Sequence, residues 1–130
     1  MILLDTHVVV WLAFHPSRLS RRAKAAIDTV REKAEGLAIC DITLLELTAL
    51  ANKGRIHLDI SLETFLREVE SRFIVLPVTA RACVLSLELP AVYPKDPADR
   101  IIAATALAEG LPLVTADRQI HRSKALATIW

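Results

Sequence analysis

The chain has 130 residues, of which 53% are hydrophobic and 24% charged, and its formal net charge is +1. A chain of this length favours a single domain spanning residues 1–130, because a second independent core would be cramped. No apolar run approaches the ~20 residues that cross a bilayer, and Met1 is followed by a strand-like run without the basic segment of a secretory signal. We therefore expect neither a membrane span nor export.

The first predicted element is a short buried strand at the start of the chain, and four similar apolar runs follow it. The five predicted strands cover residues 1–4, 37–40, 73–78, 112–115 and 127–130. Helical spacing of apolar residues predicts six helices, at 8–14, 20–34, 41–53, 61–72, 79–89 and 96–109. Alternating short strands and amphipathic helices predict a three-layer α/β/α sandwich with a mainly parallel, five-stranded sheet.

The cysteines and the basic residues give weaker information. Cys40 and Cys83 lie in apolar stretches without metal-type spacing, so we expect reduced core residues of a cytoplasmic protein. The basic residues are clustered, and such clusters are either solvated helix faces or contacts to a polyanion. The clusters are Arg18, Arg21, Arg22 and Lys24; Lys53, Arg55 and His57; and Arg118, His121, Arg122 and Lys124.

Four acidic residues follow apolar strands or lie in the first turns of neighbouring helices. Asp5 ends the first strand and Asp117 follows the fourth. Glu46 lies about one turn into the helix after the second strand, and Asp99 lies near the start of the helix that leads into the fourth. In a parallel sheet these positions share the edge formed by the carboxyl ends of the strands, where ligands bind. We expect all four carboxylates on one rim.

Individually, three of these acids also have a structural explanation. Asp5 is suited to cap the following helix, and Asp117 to sit in a turn. The segment Thr43-Leu44-Leu45-Glu46 has the pattern of a capping box, in which Glu46 would bond to the backbone N–H of Thr43.

Two aspartates open the helix predicted at 96–109. Asp96 precedes Pro97 and is suited to accept the free N–H groups at the helix start. If Asp96 caps the helix, Asp99, about one turn further on, remains free to bind a ligand. Its alternative explanation is a favourable position in the helix dipole, worth only about 0.3–1 kcal/mol.

The convergence of the four acids is stronger evidence than any one of them. Two carboxylates ~4 Å apart repel by roughly 4 kcal/mol at an effective dielectric constant near 20. Four together would raise their pKa values or require a cation. Oxygen ligands suit Mg²⁺ and Mn²⁺, and such ions polarise phosphoryl oxygens and activate water. The sequence therefore predicts metal-dependent chemistry on phosphate.

Four segments together resemble the signatures of PIN-domain ribonucleases. They are Leu4-Asp5-Thr6-His7, the helix containing Glu46, Asp96-Pro97-Ala98-Asp99-Arg100-Ile101-Ile102-Ala103-Ala104, and Thr115-Ala116-Asp117. More narrowly, the chain is similar to the VapC-type toxins of prokaryotic toxin–antitoxin pairs. The resemblance covers essentially the whole chain, and the segment at 96–104 is its most specific part.

The resemblance implies a PIN fold and Mg²⁺- or Mn²⁺-dependent endonucleolytic cleavage of RNA by a metal-activated water, with one or two metal ions. By position, the catalytic and metal-binding acids would be Asp5, Glu46, Asp99 and Asp117. Residues that would orient an acid, a water or a phosphate are Thr6, Asp96, Arg100 and Thr115. Asp96 would act as cap or second-layer residue, and Arg100 has the alternative of an ion pair with a neighbouring acid. His7 stands where many relatives have asparagine.

The resemblance also implies partners: an RNA substrate, a VapB-like cognate antitoxin that blocks the acidic site, and a second copy of the chain in a homodimer. The antitoxin would use apolar residues near the start of the chain, unless these are core. They are Val8, Trp11, Leu12 and Phe14. We expect the scattered histidines His15, His57 and His121 at the surface.

Other classes of protein also place acids at the edge of a parallel sheet. A haloacid-dehalogenase-like phosphatase would need an aspartate at the position of His7, and a receiver domain would need an acid after a middle strand and a lysine after a late one. A non-catalytic module with capping acids, and a PIN nuclease of RNA processing without a toxin role, remain as alternatives.

Overall fold

Five parallel strands form the central sheet of the protein, whose computed structural model describes residues 1–130. The strands are β1 Ile2–Leu4, β2 Leu37–Cys40, β3 Ile74–Leu76, β4 Leu113–Val114 and β5 Thr128–Ile129. Their order across the sheet is β3-β2-β1-β4-β5, and every neighbouring pair is parallel. The predicted fold class and the five predicted strands are confirmed.

Seven α-helices and one short 3₁₀-helix connect the strands. The α-helices are α1 Thr6–Phe14, α2 Arg21–Glu32, α3 Ile42–Asn52, α4 Leu62–Arg72, α5 Ala80–Glu88, α6 Pro97–Glu109 and α7 Arg118–Ser123, and the 3₁₀-helix spans Pro16–Arg18. The six predicted helices are present, with ends that differ by at most two residues. Helix α7 was not predicted because six residues are too few for a periodic pattern, and because an acid at the position of Asp117 is equally compatible with a turn.

The three central strands, β1, β2 and β4, are buried, and their successive residues point to opposite faces of the sheet. Ile2 and Leu4 pack with apolar residues of α1, α2, α3 and α4, whereas Leu3 packs with α6 and α7 residues such as Ile102 and Ile120. A parallel register keeps the partners of Leu3 in β2 and β4 on its own side, as the pairing of Leu3 with Leu113 shows. This two-sided burial explains why the strands are short continuous apolar runs.

The boundaries of α6 match the local signals in the sequence. The Asp96 carboxylate accepts a hydrogen bond from the Ala98 N–H (2.9 Å), and Pro97 occupies the first helical position. The helix ends at Gly110, whose φ of +65° lies in the left-handed region that glycine adopts without strain. Asp96 therefore caps α6, as predicted.

Two further findings concern expectations from composition. No helix of the protein is long and apolar enough to cross a membrane. Cys40 is buried, but Cys83 lies exposed on α5, so the expectation that both cysteines belong to the core is wrong for Cys83. Cys83 follows the start of an amphipathic helix whose inward face is carried by Ala82 instead.

Candidate active site

The acidic site lies where the chain changes direction across the sheet. From β1 the chain adds β2 and β3 on one side, and it later returns to place β4 and β5 on the other. The crevice at the carboxyl ends of β1 and β4 is the usual ligand site of such a sheet. Asp5 leaves β1 there, and its backbone N–H donates to the Val114 carbonyl of β4 (3.0 Å). Asp117 follows β4 by three residues.

Three aspartates of the rim cap helices. Asp5 accepts from the Thr6 N–H of α1 (2.8 Å), Asp96 caps α6, and Asp117 accepts from the Gln119 N–H of α7 (2.8 Å). Each cap uses the Oδ1 atom of its aspartate. The positive ends of three helix dipoles therefore point toward this rim and partly offset the repulsion between the acids.

The tightest group of acids joins two helices. Carboxylate oxygens of Glu46 on α3, and of Asp96 and Asp99 at the start of α6, all lie within 4.8 Å of one another. Asp99 and Glu46 are half-buried and Asp96 is exposed. This group differs from the predicted quartet because it contains Asp96. Asp5 and Asp117 flank the group, and their charges act on Asp99.

The hydroxyl of Thr6, rather than a capping box, holds Glu46. Helix α3 begins at Ile42, so Thr43 is a helical residue and not the cap. The Thr6 hydroxyl donates to Glu46 Oε1 (2.5 Å) and lies 3.1 Å from the buried Thr43 hydroxyl. The predicted capping box is therefore absent, and Glu46 is oriented from α1 into the acidic rim.

Thr115 links the acids at the ends of β1 and β4. Its buried hydroxyl donates to Asp5 Oδ2 (2.8 Å) and accepts from the Asp117 N–H (3.2 Å). Asp5 is itself only 4% exposed, so this hydrogen bond fixes the orientation of a buried carboxylate. Thr6 thus contacts the Glu46 carboxylate, and Thr115 contacts the Asp5 carboxylate. Both threonines are among the residues expected to orient an acid.

His7 makes a contact that sequence analysis missed. Its Nε2 atom accepts from the Ala116 N–H (2.9 Å), so the proton of the neutral ring is on Nδ1, which lies 3.6 Å from Asp5 Oδ2. Burial lowers the pKa of the imidazole below its usual 6.5, against the opposing effect of the Asp5 and Asp117 charges. His7 is therefore a neutral brace between α1 and the turn that carries Asp117.

Burial and mutual repulsion dominate the electrostatics of the acidic rim. Burial, followed by the negative charges of Asp5, Asp96, Glu46 and Asp117, raises the pKa of Asp99 from 3.8 to about 7. Burial also raises the pKa of Glu46, although the Thr6 hydrogen bond opposes that shift. Near neutral pH this group of carboxylates favours binding either a proton or a cation.

Backbone carbonyls, and not a neighbouring acid, hold the Arg100 guanidinium. Its guanidinium donates to the backbone carbonyls of Ser86 (3.2 Å) and Tyr93 (3.5 Å), so it ties α6 to the end of α5 and to the following loop. The buried Tyr93 hydroxyl in turn donates to the Asp99 carbonyl (3.4 Å). The alternative of an ion pair with a neighbouring acid is not formed, because these carbonyls occupy the guanidinium. Arg100 positions the segment that carries Asp96 and Asp99.

Basic side chains surround the acids in an open cleft of about 490 Å³. Asp5, Glu46 and Asp99 lie in this cleft with basic residues from two of the predicted clusters. Those clusters supply Arg18, Lys53 and Arg55, and His15 also lines the cleft. An acidic centre with a cationic rim suits a phosphate chain that reaches the acids through a bound cation.

The three other histidines differ in exposure. His15 and His57 are exposed, as predicted. His121 is half-buried, which contradicts the surface prediction: its Nε2–H donates to the Thr115 carbonyl (2.6 Å), and Nδ1 lies 2.7 Å from the Thr128 hydroxyl. His121 lies on α7, the helix that the sequence pattern did not predict, so its contacts with Thr115 and Thr128 could not be expected from the sequence.

The fold and the acidic rim define a class of protein. The family model described as "PIN domain" matches residues 2–126, and the chain therefore belongs to the PIN domain family. Within that family it is similar to ribonuclease VapC22 of Mycobacterium tuberculosis, with 38% identity over 131 residues that cover 99% of this chain and 98% of the relative.

Solved structures share the same fold. VapBC2 from Rickettsia felis, bound to a DNA fragment from its promoter, superposes with a TM-score of 0.71 at 21% identity, over 98% of this chain and 97% of that one. VapBC from Salmonella typhimurium, bound to DNA, gives a TM-score of 0.69 at 25% identity, over 98% and 97% of the two chains.

Proposed function

We propose that the protein is a metal-dependent endoribonuclease and the toxin of a toxin–antitoxin pair. The observation that carries this proposal is the convergence of Glu46, Asp96 and Asp99. Glu46 and Asp99 also line, with Asp5, a cleft whose rim is cationic. The full-length similarity to a ribonuclease supports RNA as the substrate. The free cysteines are compatible with action in the reducing cytoplasm, which we propose as its location.

Asp5, Glu46, Asp99 and Asp117 would hold the cation, which we propose to be Mg²⁺ or Mn²⁺. The donor set fits, since it consists of carboxylate oxygens, and the raised pKa of Asp99 reflects a rim that needs positive charge. When bound, such an ion polarises a phosphoryl oxygen and lowers the pKa of water. Asp96 has one oxygen occupied by its cap, and it would support the site by capping α6 and not as an essential ligand.

The remaining side chains would position these groups. Thr6 and Thr115 fix the carboxylates of Glu46 and Asp5 through their hydroxyl groups. Arg18 and Lys53 in the cleft would neutralise phosphates on either side of the cleaved bond. No histidine would be required as the base, because a bound metal ion itself lowers the pKa of the attacking water.

The test combines metal binding with cleavage. Asp5→Asn and Asp99→Asn should abolish cleavage of single-stranded RNA in Mg²⁺ while the circular dichroism spectrum stays that of the wild type. Titration calorimetry should give Mg²⁺ or Mn²⁺ binding below the millimolar range for the wild type only. A wild-type cleavage rate in either variant, or no metal binding by the wild-type protein, would refute the proposed metal site. The acids would then serve only as helix caps.

We propose that the antitoxin occupies an apolar groove of about 420 Å³ on the other side of α1 from Trp11. Leu12 and Phe14 line it, with the aromatic rings of Phe65 and Phe73. Val8 is fully buried and Trp11 lies in the acidic cleft, so only two of the four apolar residues expected from the sequence face this groove. An amphipathic helix with an apolar face would fit it.

A charge in this groove tests the antitoxin proposal. Phe14→Glu should prevent complex formation with the purified product of the neighbouring gene, measured by size-exclusion chromatography, and should leave RNA cleavage intact. The exposed substitution Glu63→Gln on α4 serves as the control and should bind as the wild type. Retained binding by Phe14→Glu would exclude this groove.

Exposed apolar residues support a homodimer. On and after α5, Val84 is 58% exposed, Leu87 85% and Val92 61%. Three large apolar side chains so close in sequence are typical of a surface that a partner covers. Leu87→Glu should therefore shift the sedimentation coefficient from that of a dimer to that of a monomer. A monomeric wild-type protein at micromolar concentration would refute the proposed dimer.

A further inference from the structure

A second groove, of about 650 Å³, adjoins the acidic cleft and shares Trp11 and Arg18 with it. Its other walls come from the turn after β4, from α7 and from the residue that follows β5. We call it the tryptophan–arginine groove, and it is lined by Trp11, Arg18, Ala116, Arg118, His121, Arg122 and Trp130. None of the metal-binding acids lines it.

The charge of this groove is wholly positive. Arg18, Arg118 and Arg122 lie in its wall, and all three are exposed. No aspartate or glutamate lies among the lining residues. The groove therefore complements an anion, and planar guanidinium groups match phosphate particularly well.

The groove also carries an aromatic platform. The rings of Trp11 and Trp130 lie 5.6 Å apart at an angle of 55°, and the Arg18 guanidinium lies 4.4 Å above the Trp11 ring. Both rings are only half-buried, and they are the only tryptophans of the chain. Exposed aromatic rings and guanidinium planes are the surfaces on which unpaired nucleobases stack.

The groove is continuous with the acids through a short path. The ring of Trp11 lies 5.0 Å from that of His7, and His7 accepts the N–H of Ala116, the residue before Asp117. A strand whose phosphate reaches the acidic rim would therefore place a neighbouring nucleotide against Trp130 and Trp11. A folded duplex could not present a base in this way, because its bases are stacked on each other.

We propose that the tryptophan–arginine groove is a subsite for one nucleotide of single-stranded RNA next to the cleaved bond. The base stacks on the Trp130 and Arg18 surfaces, and Arg118 and Arg122 bind the adjoining phosphate. The inference rests on the proposed nuclease function and adds to it the requirement for an unpaired flanking nucleotide.

Intrinsic fluorescence tests the subsite directly, because both tryptophans lie in it. Metal-free wild-type protein is titrated with a six-nucleotide single-stranded RNA and with an abasic ribose-phosphate chain of the same length. Stacking should quench the emission with the RNA and leave it nearly unchanged with the abasic chain. Equal quenching by the RNA and by the abasic chain would show that the groove binds phosphate alone, and it would overturn the stacking proposal.

Matched variants separate stacking from charge. Trp130→Leu, which keeps an apolar side chain against the core, should weaken RNA binding about tenfold, and Trp130→Phe should restore most of it. The double variant Arg118→Ala with Arg122→Ala should lower the slope of log K against log salt by about 1.4. The control pair Arg67→Ala with Arg81→Ala removes two exposed arginines outside both clefts and should bind as the wild type.

Cleavage assays separate this inference from the proposed function. Trp130→Leu should lower kcat/KM about tenfold on the six-nucleotide RNA and hardly at all on a dinucleotide, which lacks the flanking base. Equal effects on both substrates, or wild-type cleavage of the longer one, would refute the subsite while the nuclease stands. If Trp130→Leu instead lost only its binding to the antitoxin and cleaved RNA as the wild type does, the groove would be a protein-docking surface and the proposal would be wrong. A wild-type protein that cleaves neither RNA would refute the nuclease itself.

Discussion

Replacing Asp99 by asparagine should stabilise the metal-free protein while it abolishes cleavage. Burial and the charges of the neighbouring acids raise the pKa of Asp99 to about 7, so its ionised form is disfavoured in the folded state. Between pH 3.8 and about 7 the folded state therefore binds more protons than the unfolded state. Stability falls as pH rises through this window, and the cost is complete above pH 7. Asparagine, which does not ionise, removes that cost.

The size of the effect follows from the shift. A rise from 3.8 to about 7, at 1.36 kcal/mol per unit, corresponds to about 4 kcal/mol without solvent screening. Because the Asp99 side chain is partly exposed, screening reduces this to about 2 kcal/mol. For a domain of this size, ~1 kcal/mol moves the melting temperature by roughly 4 °C. Asp99→Asn should therefore melt about 8 °C above the wild type at pH 8, and about 3 °C above it at pH 5.

Thermal unfolding in EDTA at both pH values, followed by circular dichroism, measures the difference. Asp28→Asn, at an exposed acid of α2 outside the rim, is the matched control and should change the melting temperature by no more than ~2 °C at either pH. Added Mg²⁺ should raise the melting temperature of the wild type and not that of Asp99→Asn. The reasoning fails if Asp99→Asn is no more stable than the wild type at pH 8, or if the gain is the same at both pH values.

Three further predictions concern residues of the acidic rim and its surroundings. Asp96→Asn should retain more cleavage activity than the loss of a metal ligand allows, since asparagine also caps well; a complete loss would make Asp96 an essential ligand. His7→Ala should lower kcat about tenfold and stability by about 1 kcal/mol because the Ala116 N–H loses its acceptor, and His7→Gln should recover part of both; unchanged kcat in His7→Ala would refute the brace. Thr6→Val should weaken Mg²⁺ binding measured by calorimetry, because Glu46 would lose the hydroxyl that orients it, whereas an unaltered affinity would show that this hydrogen bond is dispensable.

Much of the fold could be predicted from the sequence because its signals are local. The run Leu37–Cys40 is buried on both faces, and Asp96-Pro97 begins a helix by capping and by the fixed φ of proline. Helix α7 was not predicted because its only strong signal is the capping residue Asp117, and aspartate is equally common in turns. Capping boxes are also defined by sequence, and the one expected at Glu46 failed because α3 begins before Thr43.

The acidic site was predicted in outline, since chain order and the direction of parallel strands bring the carboxyl ends to one edge. Only the tertiary structure assigned the partners of each acid: Thr6 for Glu46, Thr115 for Asp5, and a cluster that includes Asp96. The same holds for the pairing of Trp11 with Trp130, which stand near opposite ends of the chain. Hydrogen bonds and ring contacts depend on distances of a few ångströms across elements remote in sequence, whereas capping and apolar periodicity are fixed within one or two turns. The sequence alone therefore determined which chemical groups reach the rim, and the packing of the helices decided how they are oriented there.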